Sequence, residues 1–148
     1  MSATIHASAV LLGARAALIR GSSGSGKSRL ALALLQAVQA GAQAFARLVG
    51  DDRCQVEMIH GRLLVRPAPA RAGLIEVRGL GIRQVAYEPV AVVGFVVDLG
   101  EIAPNRMPAP HDRTTEIAGV PLPRLGVAAG TDPLPLVLAY LGSLGIEP

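Results

Sequence analysis

The run RAALIRGSSGSGKSRLALALLQAVQAG, residues 15 to 41, decides the fold. Ala16 to Arg20 is a short apolar run that reads as a β-strand. From Lys27 to about Ala40, the residues Leu30, Leu34, Leu35 and Val38 fall at helical spacing in an Ala- and Leu-rich stretch, and Gly41 stands where a helix-ending glycine belongs. Between them, Gly21-Ser22-Ser23-Gly24-Ser25-Gly26-Lys27-Ser28 satisfies the full P-loop pattern, a glycine, four residues, then Gly-Lys-Ser. A strand, this loop and a helix together aim successive backbone N–H groups and the positive end of a helix at phosphate. Gly21, Gly24 and Gly26 permit backbone conformations and a close approach that side chains would block. In such a loop Lys27 holds the β- and γ-phosphates and Ser28 offers its hydroxyl to Mg2+. A merely flexible Gly/Ser turn would leave unexplained why the single lysine among fourteen cations falls at this position.

Upstream, residues 4 to 12 alternate and end at Gly13-Ala14-Arg15, so the chain is expected to open with two strands joined by a tight turn. Downstream, residues 44 to 50 form an apolar run closing on Asp51-Asp52, which would deliver carboxylates to the rim of the sheet that carries the loop. Neighbours on a strand point to opposite faces, so one aspartate could reach metal-bound water while the other faces a reacting hydroxyl. A solvated Asp-Asp turn is the alternative. Cys54 to Ile59 and Arg62 to Arg66 flank His60-Gly61 as a hairpin, Leu74 to Val77 and Val90 to Val97 are β-rich, and the second of these is expected to be fully buried. Glu76, in Leu74-Ile75-Glu76-Val77-Arg78-Gly79-Leu80-Gly81-Ile82, reads by itself as part of an edge strand with a solvated Glu/Arg face. Prolines between 103 and 123 imply a mostly irregular path, and residues 132 to 145 suit a closing helix. The expected class is α/β, a sheet packed by few helices, with more strands than helices.

The 148 residues amount to one domain, residues 1 to 148, with a single core. Charged residues are 17% and apolar ones 51%, which excludes disorder driven by low hydrophobicity. The net charge of +3 is spread along the chain and does not point to nucleic acid. Aromatics are 3%, too few for stacking platforms that bind RNA or single strands. Mean hydropathy is +0.44, yet the apolar stretches are broken by Arg15, Gln36, Gln39 and Gln43 or end at Asp98, short of the ~18 residues a span requires. The first residues carry no cationic region of a secretory signal, and one cysteine, Cys54, excludes an internal disulfide, so a cytoplasmic protein without a membrane segment is expected. Cys54 is read as a small packed hydrophobe, His60 as a turn residue and His111 as a loop residue.

Four features in order, His6, the loop Gly21 to Ser28, Asp51-Asp52 and Glu76 to Ile82, resemble the catalytic domain of the bacterial HPr kinase/phosphorylase family. The last is the most specific, because generic P-loop kinases lack it. The resemblance covers the chain to about residue 125 and implies a P-loop kinase-like sheet akin to that of phosphoenolpyruvate carboxykinase. It implies ATP and Mg2+ as cofactors and the phosphocarrier HPr as substrate. By residue, it makes Asp52 the base that takes the proton of the target serine, Ser28 and Glu76 the Mg2+ ligands, with Asp51 beside them, and His6 a further catalytic residue. A downstream family arginine corresponds to Arg106, with Arg113 the competing position. The usual N-terminal domain has no counterpart, as in a short form of the family, and a hexamer is an expectation by resemblance alone. Tyr87-Glu88-Pro89 stands where longer members have a Gly-rich insertion. Leu125 to Pro133 lacks the motif tied to the phosphorylase direction, so kinase activity is expected over phosphorolysis. A small-molecule kinase of the shikimate or gluconate type, and a nucleotide-binding regulatory module without transfer, remain the alternatives.

Overall fold

A computed structural model describes residues 2–39, 41, 45–101 and 107–143. These form eleven strands and two α-helices: β1 (Ser2–Ile5), β2 (Ala7–Leu12), β3 (Arg15–Arg20), α1 (Lys27–Gln39), β4 (Ala46–Gly50), β5 (Cys54–Ile59), β6 (Arg62–Pro67), β7 (Leu74–Val77), β8 (Gly81–Gln84), β9 (Ala91–Glu101), β10 (Thr114–Ile117), β11 (Val120–Ala128) and α2 (Pro133–Leu141). Short 3-10 turns, Pro69–Arg71 and Pro110–Asp112, precede β7 and β10. None of the helices is long and apolar enough to cross a membrane.

Nine strands make one sheet in the order β1-β5-β6-β9-β3-β2-β4, with β11 paired to β9 and β10 to β11, while β7 and β8 form a separate two-stranded ribbon. The long strand β9 organises it. Ala91 and Val92 pair with β6, and later residues run parallel to β3 on one side and β11 on the other. Side chains alternate across this sheet and so feed two cores. Ala16, Leu18, Val93 and Val96 face one that also holds Val49, Cys54, Val56, Leu63 and Val65. Ala17, Ile19, Phe95 and Val97 face the other, sealed by Leu30, Ala31 and Leu34 of α1 and Val137 of α2. Leu30 and Leu34 fall four apart on one helical face, which is the spacing that selected this helix from sequence. Gly41, at φ +78° with its N–H on the Val38 carbonyl, closes the helix as expected.

Four expectations need correction. The segment 4 to 12 is not one strand: the chain bends at His6, β1 pairing with β5 while β2 pairs with β3 and β4. β2 is buried on both faces at Ala7 to Val10, which its sequence alternation did not convey. Among the described residues of the proline-rich region the path is not mostly irregular, because Thr114–Ile117 and Val120–Ala128 form a hairpin turned at Ala118-Gly119. Pro121 and Pro123 sit in β11 opposite Glu116 and Thr114, two residues apart on the same side of the ladder, where the missing N–H groups cost no pairing with β9. The run at Val90 to Val97 extends to Glu101 and is only partly enclosed, and the closing helix is shorter than expected, Asp132 capping it through the Leu134 N–H at 3.1 Å.

Candidate active site

Strands β3 and β4 both run antiparallel to β2 and so end at the same rim. There, Gly21 to Ser28 joins β3 to α1, and Asp51-Asp52 follows β4 directly. The loop turns through a bond from the Ser25 N–H to the Ser22 carbonyl (3.0 Å), and Gly24 and Gly26 take φ of +81° and +105°, which an L side chain resists. Lys27 is 6% exposed, and its Nζ donates to the carbonyls of Gly21 (2.8 Å) and Ser22 (3.2 Å), so the ammonium is folded over the loop that it would serve.

Asp51 is buried and collects donors. Ser8 Oγ donates to its Oδ1 at 2.7 Å, Ser28 Oγ lies 2.7 and 2.8 Å from its two oxygens, and the Glu76 N–H donates to Oδ2 at 3.0 Å. The Ser8 hydroxyl in turn accepts the Asp52 N–H at 3.0 Å. One carboxylate therefore ties β2, the start of α1 and β7 to the end of β4. Gly50 is what lets the chain arrive there, since a Cβ would stand 2.8 Å from Cys54 Sγ and 3.1 Å from the Pro67 backbone.

Asp52 turns the other way. Its side chain is 41% exposed, 3.9 Å from Lys27 Nζ and 3.5 Å from Arg71 Nη1. The opposite orientation of the pair was expected from strand alternation, but both residues lie beyond β4. Their divergence comes from Asp52 itself, at φ +65°, and a tight bond from the Arg53 N–H to the Asp51 carbonyl (2.7 Å). A left-handed conformation in a residue other than glycine costs energy that the surrounding bonds must offset, a frequent property of reactive positions.

Of the remaining candidates, Glu76 reaches the cluster by its backbone, and its carboxylate is exposed on β7. His6 is exposed at the bend beside Ala7, which pairs with Arg20 at the entrance to the loop. Arg106 lies outside the described residues. Arg113 donates to the Pro108 carbonyl across its own turn (3.4 Å). Among the described residues no three His, Cys, Asp or Glu side chains gather into a cage for a metal. The oxygen donors of Ser28, Asp51 and Glu76 nonetheless fit a hard cation that keeps several waters and borrows phosphate oxygens. Asp51 accepts the hydrogen bond of the Ser28 hydroxyl, which leaves the lone pairs of that hydroxyl available.

Sequence reasoning missed Ser8, Arg71 and a charge cluster beside the loop. A serine within the otherwise apolar strand Ala7–Leu12 was the available signal for Ser8. Arg71 carried none. Arg20, the last residue of β3, donates to both oxygens of Asp98 (2.7 and 2.9 Å) and to Thr115 Oγ1 (3.3 Å). Arg124 donates to the same Asp98 (2.5 Å), to the Asp112 carbonyl (3.0 Å) and to Glu101. Burial pushes the Asp98 carboxyl up, but the hydrogen bonds and charges of Arg20 and Arg124 outweigh it and hold it below the usual carboxylate range. Between the loop and the β11–α2 turn lies a cavity of about 350 Å3, with Ser22 to Ser25 on one wall and Gly100 and Val127 to Thr131 on the other.

A phosphate loop between a parallel strand and its helix, with an acidic pair on the same rim, defines a phosphate-loop α/β protein. Within that class the chain belongs to the HPr Serine kinase C-terminal domain family, whose model matches residues 1–89. It is 37% identical over 127 residues to an HPr kinase/phosphorylase of Aromatoleum aromaticum, covering 76% of this chain and 38% of that protein. It is 43% identical over 68 residues to the HPr kinase/phosphorylase of Clostridium beijerinckii, covering 46% and 20% respectively. The chain thus spans well under half the length of these relatives. The solved HPr(Ser) kinase/phosphatase from Coxiella burnetii superposes with a TM-score of 0.71 at 26% identity, covering 95% of this chain and 93% of that one. The expected α/β class and the family resemblance are both borne out.

Proposed function

We propose that this chain is a serine protein kinase that transfers a phosphoryl group from ATP, with Mg2+, to the phosphocarrier HPr. The observation that carries the reading is the pairing at the loop mouth. A buried ammonium, Lys27, is held by loop carbonyls, and an outward carboxylate, Asp52, stands 3.9 Å from it. Phosphoryl transfer to a hydroxyl requires a cation on the phosphates and an acceptor for the proton, and these two side chains supply both from one rim.

Mg2+-ATP, when bound, supplies the transferable group and the charge that offsets its oxygens. The rest falls to the chain. The N–H groups of the loop and the start of α1 face the anion, and Lys27 exchanges its carbonyl contacts for phosphate oxygens. Ser28, oriented by Asp51, and the exposed Glu76 offer oxygens to the cation. As the serine oxygen of the substrate bonds to the γ-phosphorus, the bond from that phosphorus to the β,γ-bridging oxygen breaks, ADP leaves and the serine proton passes to Asp52. His6 and Arg106 belong to the proposal by resemblance, as do a cytoplasmic site of action and a hexamer. Residues 125 to 133, of which Val127 to Thr131 and Pro133 line the cavity against the loop, include no Lys or Arg, which favours the forward kinase direction over attack by inorganic phosphate.

The test incubates the purified chain with HPr and Mg2+-ATP beside Lys27→Ala and Asp52→Asn. The expected result is one phosphoryl group on an HPr serine, lost in both variants, with nucleotide binding kept in Asp52→Asn. Unchanged transfer by Asp52→Asn overturns the assignment of the base. Phosphorylation of a metabolite and not of HPr, or binding of ATP without transfer, overturns the protein kinase reading.

A further inference from the structure

The ribbon β7–β8 stands off the main sheet, and its outer end is the most exposed apolar feature among the described residues near the site. Leu80 is 68% exposed and Ile82 61%. Ile82 pairs with Glu76, so the two share one face of the ribbon, and that face runs from the proposed cation ligand outward to the tip. The tip is built rather than loose. The Leu80 N–H donates to the Val77 carbonyl at 2.9 Å, and Gly79 and Gly81 at φ +89° and +94° turn Leu80 outward. Its base is fixed as well, through fully buried Ile75 and the Glu76 N–H on Asp51. Exposed Arg78 lies in the turn before Leu80 and has no acidic partner among the described residues, whereas Arg83 pairs with Ile75 and so faces away from Ile82.

Two large apolar side chains held out in water on the ribbon that carries Glu76 do nothing for a small-molecule substrate, which would be enclosed by the loop and the cavity. They suit a macromolecule that lies across the rim. We propose that the tip of β7–β8, Leu80 and Ile82 with Arg78, is the docking platform for a protein substrate, and that it takes an apolar patch bordered by acidic side chains. The unpaired Arg78 sets the sign of the rim, the Glu76 carboxylate on the Ile82 face being the one offered to the cation, and the prior fixing of the ribbon keeps the ordering cost of docking low. This inference rests on the protein kinase reading and names the surface by which that substrate is held.

The test uses the whole chain with HPr as the probe. Binding of HPr by titration, initial rates against HPr concentration at saturating Mg2+-ATP, nucleotide affinity and sedimentation velocity are measured for wild type, Leu80→Ser/Ile82→Ser and Arg78→Glu. The double variant is expected to raise Kd and KM for HPr about tenfold or more, with kcat and nucleotide affinity within about twofold, as for loss of an interface anchor. Arg78→Glu is expected to raise both several-fold, with the difference from wild type shrinking as salt rises. HPr constants unchanged in both variants overturn the docking site alone. Dissociation of an assembly by the double variant, with HPr affinity kept, assigns the tip to a second copy of the chain and also overturns it. A wild type that neither binds nor phosphorylates HPr removes the kinase reading and this inference with it.

Discussion

Two adjacent aspartates illustrate how far one residue's role depends on what its backbone and neighbours do. Asp51 and Asp52 are chemically identical, yet the first is buried beneath three donors and the second is turned out by a left-handed φ of +65°. Their substitutions should therefore separate folding from chemistry. Asp51→Ala leaves Ser8 without an acceptor in a buried place, at about 1–3 kcal/mol, and Ser28 and the Glu76 N–H without one in half-buried places, at less each. The summed loss should show as a clear drop in the urea midpoint, with activity falling because the loop and β7 lose their common anchor. Asp52→Asn should change stability by less than about 0.5 kcal/mol, because the site is partly exposed and asparagine tolerates the left-handed region. Equal destabilisation by both substitutions would contradict this division of roles. The DD pair was legible as a site from its place after an apolar run. Which aspartate turns inward was not legible from the residue pattern, because it is set by the left-handed φ of Asp52 and by Ser8, which holds Asp51 from forty-three residues away; only the family resemblance assigned the roles.

At the scale of elements, β3, β9, β10 and β11 are joined beside the loop by Arg20, Asp98, Thr115, Arg124 and Glu101. Nothing local in sequence announces this, since the partners lie up to ninety-five positions apart and each reads singly as a solvated charge. The same distance effect hid the β10–β11 hairpin, whose prolines are acceptable only because of the side of the ladder on which they fall. Helix α1 and the β5–β6 hairpin were legible because spacing and turn chemistry alone specify them. Here His60 and Gly61, at φ +51° and +76°, form the turn. The Asp98 carboxyl is held below its ordinary range in the folded chain. A depressed folded value means that the group contributes stability at pH above its unfolded value near 4, lost as pH falls through the folded value. Thermal melts between pH 7 and 3 should thus show an acid limb to which Asp98 contributes. In Asp98→Asn that limb should be shallower and the melting temperature at pH 7 lower, because Arg20 and Arg124 lose their shared partner. An acid limb of unchanged slope in the variant would assign the acid sensitivity to other carboxylates.

The whole molecule is a sheet with a core on each face, and Cys54 reports on the opening of one of them. It is fully buried, its Sγ donates to the Ala7 carbonyl at 3.3 Å, and burial, with the charges of Asp51 and Asp52 adding, pushes the thiol up to about 12. At neutral pH a thiol-directed reagent therefore meets neither surface nor thiolate until the structure opens. The opening has two candidate scales. Cys54 pairs with Ile5 of β1, the strand at one end of the sheet order, so fraying of β1 alone would expose it. Its packing beneath Gly50, between the acidic pair and Pro67, instead ties it to the strands that carry the site. We expect labelling to follow the global transition, because the side chain lies in the same core as Leu18, Val65 and Val96, which fraying of β1 does not uncover. Labelling rates across increasing urea should then rise with the dependence of full unfolding. On the proposed function, Mg2+-ATP at a hundredfold excess over its dissociation constant should slow labelling about a hundredfold, since only the folded chain would hold it. Rates insensitive to both urea and nucleotide would place the opening in β1 alone, and the sheet would then fold as a cooperative unit without its first strand.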